Sequence, residues 1–210
     1  IARTINDLRL ALQAMAAPQR EAIRTRARHL REHLDVMCPP GPAPAPPAGE
    51  NPMRILITGG TGLIGQALCR HWRAQGHELW VLSRSPDKVA ALCSGASCIA
   101  RLDDLPAELP VDAAINLAGA PIADARWTAS RRALLWESRV DLTRHLVQWM
   151  GRRPSPPRTL LSASATGWYG DRGDDRLDEG SPAAATDFGA RLCMAWENEA
   201  ARARQWGTRV

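Results

Sequence analysis

Of the 210 residues in this chain, one is a tyrosine (Tyr169), one a phenylalanine (Phe188) and one a lysine (Lys88). Tyr169 and Lys88 are far apart in sequence, so a Tyr-x-x-x-Lys pair is excluded. With it goes a phenol whose proton is loosened by a neighbouring ammonium; at an ordinary pKa of about 10, a phenol is a poor base at neutral pH. Long apolar runs are also missing. Nothing approaches the roughly 18 apolar residues of a membrane span, and no signal peptide is legible ahead of the main domain, so a cytoplasmic protein is expected. The five cysteines (Cys38, Cys69, Cys93, Cys98, Cys193) form no CxxC and no disulfide-like spacing. An odd count of this kind reads as free thiols in a reducing compartment. The net charge of +5 is spread along the chain, basic residues alternating with acids, and the only Tyr and Phe offer few stacking partners. A nucleic-acid surface is therefore not expected. With 26 arginines to one lysine, the basic balance reflects codon composition more than a choice of partner.

What is present centres on Met53 to Leu68, MRILITGGTGLIGQAL. Ile55, Leu56 and Ile57 make an unbroken apolar run, as expected for a parallel strand covered on both faces. Gly59, Gly60 and Gly62 allow a tight turn and close approach of a ligand, Thr61 lies within that turn, and Gly65 lets the next helix pack against the strand. The helix start at Leu63 and Ile64 would present free N–H groups and the positive end of its dipole to an anion. Leu63, Ile64, Ala67, Leu68 and Trp72 recur at helical spacing, Gly76 is the stop, and Glu78 to Ser83 reads as a second strand. A glycine pattern alone is weak evidence, but here it lies between a strand and a helix and leads to a second strand, which makes it a dinucleotide-binding signature.

The remaining segments alternate in the same way. Strands are expected at Cys98 to Leu102, Ala113 to Asn116 and Arg158 to Ala163, and helices at Trp127 to Met150 and Thr186 to Trp206. Alternation without repeats predicts an α/β fold: a doubly wound parallel-sheet Rossmann domain over residues 53–210. Ahead of it, residues 1–38 read as a helical hairpin and 39–52, half proline, as an extended linker of roughly 40 Å at about 3.1 Å per residue. His29, Glu32 and His33 spell HxxEH, a zinc-peptidase pattern. Without a third ligand or a supporting domain the bland reading, a solvated helix face, is favoured, and no metal is expected.

The spelling GGTGLIG resembles the extended short-chain dehydrogenase/reductase family. Asn116-Leu117-Ala118-Gly119 resembles that family's cofactor-lining element after the fourth strand, and the resemblance places Leu117, Ala118 and Gly119 along the cofactor; for Asn116 itself a plain strand exit is as good a reading. Ser162-Ala-Ser164-Ala-Thr-Gly-Trp-Tyr169-Gly170 resembles the SSxxVYG element with one residue inserted, which puts Ser164 at the catalytic serine position and Ser162 near the nicotinamide. The segment Asp187-Phe188-Gly-Ala-Arg-Leu192 places Phe188 and Leu192 where the family carries its tyrosine and lysine. Arg139 falls at a structural asparagine position. Together NLAGAPIADARWT, ESRVDLTR, SASATGWYGD and DFxARLCxxWE are similar to an atypical branch of the family, described as NAD(P)-dependent or nucleoside-diphosphate-sugar epimerases, that lacks the Tyr-x-x-x-Lys pair.

Cofactor choice follows from the end of the second strand. NAD enzymes place a carboxylate about 20 residues past the glycines; here stand Ser83, Arg84 and Ser85, and the Arg84 guanidinium suits a 2′-phosphate, so NADP is favoured over NAD. Two functions are open. One is an epimerase, dehydratase-like or oxidoreductase enzyme using NADP on an unidentified small molecule, with Ser164 polarising a substrate oxygen and Tyr169, Asp187 or water moving the proton. The other is a non-catalytic NADP-binding sensor or interaction protein. For Tyr169 a packing role is the favoured alternative. Family members continue into a substrate lobe, so the chain is expected to stop inside the domain, at a WGTRV segment that leads into a sixth strand. They often form homodimers through the two long helices; packing on the sheet is the alternative use of those helices' apolar residues.

Overall fold

Ile55, Leu56 and Ile57 are all apolar because the strand that carries them is covered on both sides. In the computed structural model, which describes residues 51–184 and 186–210, β1 (Arg54–Thr58) is the middle strand of a five-stranded parallel sheet. The order is β3-β2-β1-β4-β5, with β2 at Glu78–Leu82, β3 at Ser97–Ile99, β4 at Ala113–Asn116 and β5 at Thr159–Ser162. Leu56 lies opposite Trp80 on one side and Ala114 on the other. The chain moves outward through β2 and β3, then crosses back over β1 to build β4 and β5. That reversal opens a crevice outside the carboxyl ends of β1 and β4, the usual place for a ligand in such sheets.

Helices cover both faces. On one, Ile55, Ile57, Val81 and Ile115 pack with Cys69 of α1 (Leu63–Ala74) and Val89 of α2 (Pro86–Leu92). On the other, Leu56, Ala114 and Leu160 pack with Leu146 and Met150 of α4 (Leu142–Gly151) and Ala200 of α5 (Phe188–Ala201). Each buried Leu or Ile contributes roughly 1.5–3 kcal/mol, so these layers dominate the favourable side of folding. A third cluster joins Leu135 of α3 (Ala129–Trp136) to Val140, Leu192 and Trp196, with Ala120 and Ala163 from the β4 and β5 exits packed on it. Among the described residues, no helix is long and apolar enough to cross a membrane.

The fold class agrees with the sequence reading, and several details differ. The third strand is shorter than Cys98 to Leu102: it ends at Ile99, and Leu102–Asp104 is a 3-10 turn, because the Asp104 carboxylate accepts from the N–H groups of Ala100 and Arg101 and bends the chain there. The long helix from Trp127 to Met150 is two α-helices joined by a π-helical turn, Glu137–Asp141. The last helix starts at Phe188, where Asp187 caps it, and tightens to 3-10 geometry over Arg202–Trp206. Leu63 and Ile64, expected on the apolar face of α1, are about two-thirds exposed; the helix packs through Gly65 and Cys69 instead. Arg209 pairs with Thr159 of β5 in an isolated parallel bridge. On α4, the apolar Leu146, Val147 and Met150 serve the sheet, while Arg144 pairs with Asp141 and with Glu199 of α5. The expected helical segment 1–38 with its His29 to His33 motif, and the linker 39–52 up to residue 50, lie outside the described residues.

Candidate active site

The glycine turn divides its labour. Gly59 has φ +73°, and a Cβ there would lie 2.7 Å from the Leu117 carbonyl carbon and 2.8 Å from the Ala118 nitrogen, so the turn rests directly on the β4 exit. A Cβ at Gly65 would strike the Gly59 carbonyl oxygen and lie 2.6 Å from Gly60 Cα, which lets α1 start close under the turn. Gly62 differs. It has φ −74°, is exposed, and a Cβ there would meet only the Gly59 oxygen, at 3.2 Å. No side chain caps α1, and its first backbone bond runs from Gln66 N–H to the Gly62 oxygen. The N–H groups of Leu63, Ile64 and Gly65 thus have no acceptor among the described residues. Three free donors at a helix start favour an anion. Thr61 is half-buried within the turn, and its carbonyl is held by Gln66 Nε2 at 2.7 Å.

Opposite the turn, one buried side chain ties three strand ends together. Asn116 Oδ1 accepts from the Thr58 hydroxyl at 2.7 Å, and its Nδ2 donates to the hydroxyls of Thr143 at 2.7 Å and Ser162 at 3.2 Å. The Thr58 hydroxyl in turn accepts from Ala118 N–H at 3.2 Å. Asn116 is fully buried and engaged at both ends, so its side chain is a brace. Leu117 and Ala118 are half-buried and Gly119 exposed, facing the crevice with their backbone, while Ser162 is fastened to the brace. Arg84, at the exit of β2, is exposed and makes no hydrogen bond or ion pair among the described residues. It is placed past the strand end where the sequence reading put it.

Beyond β5, the structure places Ser164 with a residue that the motif reading did not single out. The Ser164 hydroxyl donates a hydrogen bond to Glu197 Oε1, and both line an open groove of about 430 Å³ along the outer edge of β5, with Ser162, Leu161, Arg204 and Val210. Tyr169 is half-buried at the end of a 3-10 turn, Thr166–Tyr169, and its hydroxyl has no hydrogen bond among the described residues. None of the described contacts joins it to Ser164. Phe188 packs edge-on against Trp127, ring centroids 5.5 Å apart, and Leu192 is in the core. Phe188 and Leu192 are therefore apolar packing positions. Asp187 is occupied as the cap of α5, accepting from Ala190 N–H at 2.7 Å. Cys193, one turn before Glu197, donates to the Ala165 carbonyl at 3.6 Å. Burial pushes its thiol above the ordinary range, opposed by the Ala165 contact. Glu197 belongs to the WE of DFxARLCxxWE; its i+4 spacing from Cys193 on one helix face was the available signal.

A parallel sheet in this order, with a glycine turn and free helix N–H groups at the reversal, defines a Rossmann-type α/β domain. Residues 55–210 match the NAD dependent epimerase/dehydratase family, and the chain belongs to it. It is 35% identical over 155 residues to epimerase family protein SDR39U1 of Homo sapiens, covering 69% of this chain and 48% of that protein. It is 33% identical over 162 residues to epimerase family protein YfhF of Bacillus subtilis, covering 75% and 52%. The crystal structure of human SDR39U1 with NADPH superposes with a TM-score of 0.59 at 34% identity, over 70% of this chain and 48% of that one. The chain spans about half the length of these relatives.

Proposed function

We propose that this chain binds NADP across the crevice between the Gly59 to Gly65 turn and the Leu117 to Gly119 exit, and that it is the cofactor half of an oxidoreductase or epimerase/dehydratase-like enzyme. The observation that carries the reading is the set of three acceptor-free N–H groups, Leu63, Ile64 and Gly65, at the sheet's reversal point. They would hold the pyrophosphate, with Gly62 leaving room for it and Thr61 at the rim. Arg84 would pair with the 2′-phosphate. The human relative crystallised with NADPH supports this choice of dinucleotide. When bound, NADP would supply the hydride acceptor or donor.

Ser164 is the group placed to hold a substrate oxygen, because its hydroxyl lines the groove and is already oriented by Glu197. When a substrate alcohol is oxidised, its proton passes to Ser164 Oγ as the serine proton moves to the Glu197 carboxylate; reduction reverses both transfers. The Tyr169 hydroxyl has no hydrogen bond to Ser164 or any other group among the described residues, and we assign the residue to packing within the β5 exit. The substrate is a small molecule. The free thiols among the described residues suit a reducing compartment, and we place the protein in the cytoplasm.

A second reading rests on Phe188 and Leu192: a protein that has lost the usual proton donor binds NADP as a sensor and does not turn it over. Following NADPH absorbance with a broad panel of aldehydes and ketones separates the two. Turnover that falls at least tenfold in both Ser164→Ala and Glu197→Gln, with NADPH affinity unchanged, is the expected result. Tight NADPH binding with no turnover across the panel, in the chain and in a full-length relative alike, would favour the sensor.

A further inference from the structure

Gly60 is buried at the base of the glycine turn, and no backbone N–H reaches its carbonyl among the described residues. A thiol does: Cys93 Sγ donates to the Gly60 oxygen at 3.2 Å, within the core. A buried carbonyl without a donor is costly, so even a weak S–H donor counts here. The thiol is firmly aimed. Cys93 is 1% exposed, its N–H donates to the Val89 carbonyl at 2.8 Å, and its own carbonyl accepts from Ala96 N–H at 2.9 Å. Beside it in the same layer lies the fully buried Cys69 of α1, whose thiol stays protonated because burial raises it.

The Gly60 carbonyl is also where α1 rests on the turn. A Cβ on Gly65 would lie 2.6 Å from that oxygen, and one on Gly60 would lie 2.7 Å from Val81 Cγ1 of β2. Gly60 is therefore held at its α-carbon by Val81 and at its oxygen by Cys93, and its place sets where the first turn of α1 stands. An apolar side chain at position 93 could fill the layer; only a donor answers the carbonyl. We propose that Cys93 is a positioning residue for the dinucleotide: by fixing the Gly60 carbonyl, its thiol holds the N–H groups of Leu63, Ile64 and Gly65 in line for the pyrophosphate. The inference rests on the reading of this turn as the cofactor site.

Two readouts separate this role from packing. One is NADPH affinity by fluorescence titration; the other is amide hydrogen exchange in the free chain at Gly62 and Gln66, whose N–H groups close onto the Gly59 and Gly62 carbonyls. Cys93→Ala removes the donor, Cys93→Ser restores one, and Cys69→Ala removes a thiol from the same layer while leaving the bond to Gly60 in place. Cys93→Ala is expected to weaken NADPH roughly tenfold and to speed exchange at both amides about fivefold or more, since a buried carbonyl loses its partner. Cys93→Ser should stay within about twofold of wild type in both readouts, and so should Cys69→Ala, even where its melting temperature falls as far as that of Cys93→Ala. Exchange in Cys93→Ala at the wild-type rate, NADPH bound by it as tightly as by wild type, an equal loss in Cys69→Ala, or a serine no better than alanine would overturn the proposal. If no form binds NADPH, wild type included, yet the exchange pattern holds, Cys93 still positions the turn and it is the cofactor reading that falls.

Discussion

Replacing Gly59 and Gly62 separately by alanine should divide folding from ligand binding within one loop. At Gly59 the alanine must hold φ +73°, which costs roughly 1–2 kcal/mol for an L residue. Its methyl would also lie 2.7–2.8 Å from backbone atoms of Leu117 and Ala118, which cannot rotate away. Overpacking of that kind adds about 1–3 kcal/mol, for a total of roughly 2–5 kcal/mol. Against a typical domain stability of about 5–15 kcal/mol, that is a large share. Gly62 has an extended backbone that alanine adopts freely, and its only close neighbour is the Gly59 oxygen at 3.2 Å. Loss of a favourable N-cap glycine and gain from a stiffer unfolded chain nearly offset each other, leaving a change of about 1 kcal/mol or less. The methyl would nevertheless stand in the path of a pyrophosphate approaching Leu63 and Ile64. Urea unfolding without cofactor, paired with NADPH titration, reads both effects. Gly59→Ala should lower the unfolding midpoint clearly, and Gly62→Ala should leave it nearly unchanged while weakening NADPH by tenfold or more. Normal NADPH affinity in Gly62→Ala, or destabilisation equal to that of Gly59→Ala, would refute the assignment of the two glycines.

Asn116→Leu removes three hydrogen bonds and leaves the buried hydroxyls of Thr58 and Thr143 short of partners. At about 1–3 kcal/mol for each buried group left unsatisfied, a melting-temperature loss of roughly 5–15 °C is expected by calorimetry; a loss under about 2 °C would show that Asn116 is not a brace. Cys69 is fully buried, and its thiol is pushed up to about 12 chiefly by that burial, with the Cys93 thiol adding to it. A raised thiol pKa means the protonated, unreactive form below it, so at pH 8 a thiol reagent should label the half-exposed Cys98 well before Cys69, by peptide mapping, and the reverse order would be inconsistent with the packing under α1.

Much of the fold was legible because the apolar runs of a doubly wound sheet are local. Ile55 to Ile57 and Ala113 to Asn116 are buried on both faces and announce themselves without any knowledge of their neighbours. Boundaries set by side-chain contacts were not legible: Asp104 reaching back to Ala100 and Arg101 ends the third strand, and the π turn that aims Arg139 at Ala120 breaks a helix whose periodicity looked continuous. Leu63 and Ile64 share the helical spacing of the apolar face yet are exposed, because they form the first turn of α1, beyond the reach of the sheet, so apolar spacing there does not mean burial. In the candidate site, the glycine turn was readable from its spacing, while Ser164 was singled out only by the family resemblance. Glu197 was not readable, since it acquires its meaning from Ser164, more than 30 positions away.

If the Gly59 to Gly65 turn and Arg84 together make an NADP site, calorimetric titration with NADPH and NADH, repeated in Arg84→Asp, will show it. One NADPH per chain is expected, bound at least tenfold more tightly than NADH, with that preference abolished in Arg84→Asp while NADH binding is retained. No binding of either dinucleotide, or an equal loss of both in Arg84→Asp, would contradict it.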